Sequence, residues 1–418
     1  METAVFQHPT PLRLPDILGG PYMIRKPWRC EGDQYEAFLD FSEVEQISCK
    51  ETVTLNELLN LDRSNTEVFP FRCGYISYEL LAANFGVCCQ APKDLDLPAA
   101  LLARPAARLC IKGKKITVES YLPGRAEEIL SLTRLSQTSK MATSTGPVKT
   151  NLSFDQYEQI FHQAQEQILE GNTYQIKISV RYSAEAQIDP LTAFEKLAAT
   201  NPSPEAFMLS WDKFALISCS PETVIRKTGN KILTRPIGGT FEKKNHANSR
   251  QQINDFLRNE KETAEHNMLI DLERNDLSRI CTPGSVKIDN LRVVEPYVHL
   301  YHLVSTISGE VKNNVSTPEI LKAMLPGGTI TGCPKHRTIE LIDQLEPCFR
   351  GPYTGSFGIF HDNGDLHLNL IIRTLVQTEG FCHIQAGGGI VAESNPQYEY
   401  NENRIKALAL IELLRQHN

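Results

Sequence analysis

The stretch Tyr-Gln-Ile-Lys-Ile-Ser-Val-Arg-Tyr at 174–182 alternates apolar residues (Tyr174, Ile176, Ile178, Val180, Tyr182) with polar ones (Gln175, Lys177, Ser179, Arg181). A period of two puts every second side chain on one face, so the segment reads as a strand buried on one side. Just upstream the period changes. Ser153 with Gln156 three residues on spells a helix start, and Tyr157, Ile160, Phe161, Ala164 and Ile168 form one apolar stripe that Gly171 ends. Downstream, strand candidates recur at Ala215 to Cys219, Thr223 to Lys227 and Lys231 to Thr234. Ser356 to Phe360, an Asp-Asn-Gly-Asp turn (362–365) and Leu366 to Gln377 read as a hairpin. His383 to Ala386 runs into Gly387-Gly388-Gly389, and a last helix begins near Pro396 with Ala407, Leu408, Leu410, Ile411 and Leu414 as its core face. Long helices among mostly antiparallel strands make the expected class α+β.

Upstream of this region the signals are weaker. Val68 to Phe71, Arg108 to Ile111 and Ile116 to Leu122 read as short strands, with a helical patch from Tyr78 to Phe85. Residues 136–150, rich in Ser, Thr and Lys, read as a flexible connection between an N-terminal region (1–135) and a region at 151–418. With 418 residues the chain is long enough for a substantial core. Its formal net charge of −7 argues against a non-specific nucleic-acid binder. The eleven cysteines show no Cys-x-x-Cys and no Cys/His ligand spacing, as expected of reduced thiols in a cytoplasmic protein. Neither a signal peptide nor a membrane-spanning run is expected.

Two carboxylate pairs stand out, Glu262/Glu265 in Lys-Glu-Thr-Ala-Glu-His (261–266) and Glu399/Glu402 ahead of Lys406. A spacing of three puts both acids of a pair on one helix face, where like charges repel. A hard divalent cation such as Mg²⁺ relieves that repulsion, and a solvated charged face is the plainer alternative.

The segments Ser-Pro-Glu-Thr (220–223), Arg-Pro-Ile-Gly-Gly-Thr (235–240), Glu-His-Asn-Met-Leu-Ile-Asp-Leu-Glu-Arg-Asn-Asp-Leu (265–277), Pro-Gly-Gly-Thr-Ile-Thr-Gly-Cys-Pro-Lys (326–335) and Ala-Gly-Gly-Gly-Ile-Val (386–391) occur in this order. Together they resemble the chorismate-utilising enzymes: anthranilate synthase component I, aminodeoxychorismate synthase component I, and the isochorismate and salicylate synthases. The resemblance covers about residues 151–415 and is loose before 135, where Gly74-Tyr75-Ile76-Ser77-Tyr78 carries it. It implies two facing, mostly antiparallel sheets with helices outside and a cleft for chorismate. It also implies Mg²⁺ ligated by Glu265 and Glu402, with Glu262 and Glu399 as further carboxylates of the site. Glu222 matches the general acid that protonates the departing C4 hydroxyl. Arg373 and Lys406 match groups that bind substrate carboxylates, and amides around Gly387 would add donors. His302, Tyr353, Thr240 and Thr331 match further substrate-contacting positions. Read without the family, Lys406 is a surface lysine paired with Glu402, Gly387 to Gly389 a turn or bulge, His302 a half-buried histidine and Arg373 a strand-edge charge.

Gln175 bears on the reaction. Relatives that add water resemble one another in a lysine base at this position, whereas those that add ammonia carry glutamine; Lys177, two residues on, does not match that lysine. Thr331 and Gly-Ser-Phe-Gly (355–358) are similar to aminodeoxychorismate synthase. Asn-Pro-Ser-Pro-Glu-Ala-Phe (201–207) carries Glu205 where the tryptophan-inhibited anthranilate synthases have an aromatic residue. Gly238 departs from the pattern, because aminodeoxychorismate synthases carry there a lysine that attacks C2. The resemblance therefore implies amination of chorismate at C4, with C2 amination as the alternative and a non-catalytic paralogue behind both. Ammonia is expected from a separate glutaminase subunit.

Overall fold

The computed structural model describes residues 1–7, 20–26, 34–48, 54–59, 65–132, 143–144, 146–243, 249–297 and 300–415. Within the expected connection at 136–150, the described pairs Thr143–Ser144 and Lys149–Thr150 each lie against the strand Gln175–Gln187. Residues 136–142 and 145 of that segment lie outside the described residues.

Every strand pairing among the described residues is antiparallel, and together they build two sheets that share the long strand Ala100–Lys112. From its second half one sheet runs through Gln34–Ile47, Tyr22–Arg25, Glu205–Trp211, Phe214–Ser220, Thr374–Thr378 and Phe381–Ile390 to Gln175–Gln187. From its first half the other runs through Phe71–Ile76, Ser356–His361, Leu366–Asn369, Thr223–Thr228 and Lys231–Thr234 to Leu300–Glu310, flanked by Lys287–Pro296. The two face each other. Phe207 of one sheet stacks on Phe357 of the other at 4.0 Å, inside a cluster with Phe38, Tyr75, Leu209 and Ile371.

Helices cover the outer faces. The capping box forms as the sequence spells it: Ser153 Oγ accepts from the Gln156 amide and Gln156 Oε1 from the Ser153 amide. The helix Phe154–Leu169 then buries Tyr157, Phe161 and Ala164 against Ile176, Ile178 and Val180. A side chain such as Phe161, fully removed from water, contributes about 1.5–3 kcal/mol. The C-terminal helix Pro396–Arg415 packs beside it through Leu410, Ile411 and Leu414. On the other sheet, Glu260–Ile280 and Thr317–Met324 pack Ile270, Leu277, Ile320 and Leu321 against Val224, Ile225 and Ile307.

Three expectations shift. Leu408 is 37 % exposed, and Leu413 takes the buried place instead, because the helix packs on two sides. Leu366 to Gln377 is not one strand: pairing stops at Asn369 and resumes at Thr374, with Arg373 at φ +51° in the gap. The N-terminal strand expected at 68–71 runs instead over Phe71–Ile76, beside the central Ala100–Lys112.

Near the cleft a buried ion pair ties the layers together. Arg350 Nη2 and Nε reach Glu346 at 2.8 Å, and Arg350 also donates to the Ile330 and Lys177 carbonyls. Glu346 Oε1 in turn accepts from both the amide and the hydroxyl of Ser179. Both charges are fully hydrogen-bonded, the condition under which a buried pair persists.

Candidate active site

The break at residues 370–373, the two acid-bearing helices and the glycine-rich strand converge on a cavity of about 120 Å³. Glu262, Glu265, Glu399, Glu402, Glu222, His302, Tyr353, Arg373, Gly387 and Lys406, ten of the residues singled out from sequence, all line it.

The carboxylates arrive from opposite walls. Glu265 Oε1 accepts from Gln175 Nε2 at 2.8 Å, and Lys177 Nζ stands 3.7 Å from the same oxygen. Glu402 Oε1 pairs with Lys406 Nζ at 2.9 Å, and that amine also donates to the Gly387 carbonyl. Burial and the neighbouring Glu402 push the Glu399 carboxyl up. Burial would raise Glu402 too, but Lys406 outweighs it and holds that carboxyl down. Excess negative charge is thus absorbed by a lysine and a retained proton, which is what a divalent cation would replace. Among the described residues no three acids or histidines form a ready-made ligand set. Glu262, Glu265, Glu399 and Glu402 are hard oxygen donors of the kind that suit Mg²⁺, which is bound through one or two carboxylates plus substrate oxygens and water rather than an all-protein cage.

Glu222 lies deeper. It is buried, accepts a hydrogen bond from Thr329 Oγ1 at 2.7 Å, and has its pKa pushed to about 8 by burial, with the Glu273 charge adding to the rise. Such a carboxyl keeps its proton at neutral pH and can donate it. His302 Nδ1 lies 3.0 Å from the Gly239 carbonyl. A carbonyl only accepts, so Nδ1 carries the proton and Nε2 is left as an acceptor. Burial and nearby Arg373 lower this imidazole to about 4, so it is neutral.

Arg373 supplies the anion-binding charge. Among the described residues its guanidinium makes no ion pair, and burial lowers its pKa from the usual arginine value. An enclosed, uncompensated guanidinium calls for an anionic ligand. Tyr353 closes the floor: a Cβ on Gly387 would lie 2.8 Å from its hydroxyl. A second cavity of about 250 Å³, bordered by Cys219, Tyr297 and Leu408, adjoins the first across His302, Arg373 and Lys406.

Not every expected residue faces the cavity. Thr331 is buried and its hydroxyl donates to the Gly327 carbonyl, while Thr329 of the same segment turns inward to Glu222. The reason is the short 3₁₀ turn Gly328–Ile330, whose period near three keeps 329 and 331 off one face. Gln175 acts on the site through Glu265. Thr240 has its backbone opposite His302, and its side chain lies outside the described residues. Lys177, set aside from the sequence, lines the cavity, because it shares a strand face with Gln175. Gly238 also lines it, and a Cβ there would lie 2.7 Å from His266 Nδ1 and 2.9 Å from Leu269 Cδ1.

Fold and cavity together define an α+β protein whose cleft gathers four glutamates, an arginine and a buried carboxylic acid. The chain belongs to the chorismate binding enzymes, whose family model matches residues 23–412. It is 36% identical over 369 residues to an anthranilate synthase component I-like protein of Synechocystis, covering 86% of this chain and 76% of that one. It is 41% identical over 257 residues to aminodeoxychorismate synthase component 1 of Bacillus subtilis, covering 61% of this chain and 55% of that one. In fold it is similar to anthranilate synthase component I from Streptococcus pneumoniae, with a TM-score of 0.78 at 24% identity over 93% of this chain and 92% of that one.

Proposed function

We propose that the protein is the synthase component of aminodeoxychorismate synthase and aminates chorismate at C4, using ammonia from a separate glutamine amidotransferase. The observation that carries amination is Gln175, whose amide is spent on Glu265 and offers no base. Ammonia brings its own lone pair and needs no base to attack, whereas water does. Arg373 and Lys406 orient the substrate carboxylates, with amides near Gly387 assisting. Mg²⁺ held by Glu265 and Glu402, beside Glu262 and Glu399, would neutralise the ring carboxylate and make the ring more electrophilic. Glu222 gives its proton to the leaving C4 hydroxyl, which departs as water while ammonia bonds to the ring at C2. The C2 group, an ammonium as formed, departs as ammonia when a second ammonia bonds at C4. The resulting C4 ammonium returns one proton to the Glu222 carboxylate, with the neutral His302 Nε2 placed to accept a hydrogen bond.

The choice of C4 rests on the likeness of 326–335 and 355–358 to aminodeoxychorismate synthases. Glu205 supports it: this carboxylate is buried and bound by Thr223 Oγ1 and by His367 Nε2 at 3.0 Å, so a polar, hydrogen-bonded group stands where an indole would need an apolar wall. Gly238 favours a second reading, in which no lysine serves C2 and the reaction stops at a C2-aminated product.

The test is chorismate consumption by the purified chain. Loss of chorismate should require both Mg²⁺ and ammonium, and glutamine should not replace ammonium. No consumption with both present would refute amination, and turnover on glutamine alone would refute a separate amidotransferase.

A further inference from the structure

Lys177 has no part in the chemistry above, yet the strand delivers it to the middle of the site. Its backbone is pinned on both sides: the amide donates to the Thr331 carbonyl and its carbonyl accepts from Arg350 Nη2, each at 2.9 Å. Its head is not pinned. Nζ stands 3.7 Å from Glu265 Oε1, beyond hydrogen-bond range, whereas Lys406 is locked to Glu402 at 2.9 Å and to the Gly387 carbonyl at 3.0 Å. Directly across the ladder is Gly389. A Cβ there would lie 2.6 Å from Lys177 Nζ and 2.4 Å from Gln175 Nε2, so the missing side chain is the notch in which both heads meet Glu265.

We propose that Lys177 is the built-in counter-cation of this carboxylate cluster. Its ammonium offsets the Glu265 charge from 3.7 Å until a divalent cation takes that carboxylate, and then turns to the anionic substrate in the same cavity. The inference rests on the reading of the cluster as a metal site for a polyanionic substrate. Charge makes it necessary: a cation already beside Glu265 repels an incoming metal, and in a partly buried cleft salt screens that repulsion poorly. Once displaced, a head on a fixed stem has only the cavity to enter, where it joins Arg373 in facing the substrate. Lys177 thus acts as a positioning residue that opposes metal binding and favours substrate binding.

That opposite pair of signs distinguishes it from a residue that merely props the wall, whose loss would weaken both ligands. The test uses Mn²⁺ alone as the metal probe, titrated calorimetrically into the full chain, and then chorismate titrated at saturating Mn²⁺. Lys177→Met keeps the apolar stem and removes the charge. It should bind Mn²⁺ at least about tenfold more tightly, or about 1.4 kcal/mol, and chorismate more weakly by a similar factor. Lys177→Arg should stay near the parent on both counts, and unchanged thermal unfolding of either variant excludes a folding defect. Equal or weaker Mn²⁺ binding by Lys177→Met overturns this inference while leaving the metal site standing. Absence of Mn²⁺ binding by parent and variant alike overturns the metal reading, and this inference with it.

Discussion

Glu222 should set the alkaline limit of the reaction. A carboxyl at the ordinary 4.5 would be protonated in only about 0.3 % of molecules at pH 7, whereas one at about 8 is protonated in about nine-tenths of them. Burial therefore gains about 300-fold in available acid. The sign follows from the role: a proton donor works below its pKa, so turnover at fixed free ammonia should be level below pH 8 and fall about tenfold per unit above it. Glu222→Gln should lower kcat by about 10²–10⁴ and abolish that limb, because an amide has no proton to give. Calorimetric chorismate binding in Mg²⁺ should survive. The bond from Thr329 Oγ1 favours the anion, so Thr329→Val should move the limb upward by about one to two pH units, the value of a hydrogen bond to a charged acceptor. A Glu222→Gln enzyme with parental rate and limb would refute the assignment.

Further outcomes can be checked separately. Glu346→Ala strands the buried Arg350 charge and should cost about 3–5 kcal/mol in urea unfolding; a loss under about 1 kcal/mol would mean the pair behaves as an exposed one. Gly387→Ala drives a methyl group onto the Tyr353 hydroxyl and to within 3.1 Å of the Ile178 carbonyl oxygen, and should raise KM for chorismate at least about tenfold; an unchanged KM would contradict this. Tryptophan should neither inhibit nor raise the Tm, since Glu205, bound by His367 and Thr223, sets a buried polar group where an indole would need an apolar wall; a clear Tm rise would contradict this.

How far the sequence could be read depended on whether a residue lay inside one regular element. The alternation at 174–182 and the Ser153/Gln156 box each obey a single period, and the box formed as written. The strand formed from Gln175 on but is buried on both faces rather than one, with Gln175, Ser179 and Arg181 enclosed and Tyr174 exposed. The two acid pairs belong to helices, and their spacing alone put each pair on one face. Residues where a period ends were harder. Arg373 reaches the cavity because the strand breaks at a left-handed backbone, which nothing in Leu366 to Gln377 signals. Thr331 misses the cavity and Thr329 reaches Glu222 because the segment passes through a 3₁₀ turn at Gly328–Ile330. Lys177 was legible in principle, since period two carries it to the face of Gln175; what hid it was the notch at Gly389, which only the cross-strand register reveals.

The central claim is that nitrogen ends on C4 although position 238 is glycine. The chain should be incubated with chorismate, Mg²⁺ and ammonium, the mixture divided, and aminodeoxychorismate lyase added to one half. The account predicts p-aminobenzoate only in the half that received the lyase. Anthranilate in both halves would contradict it and place the amine at C2, and isochorismate in place of either would mean that water, not ammonia, is the nucleophile.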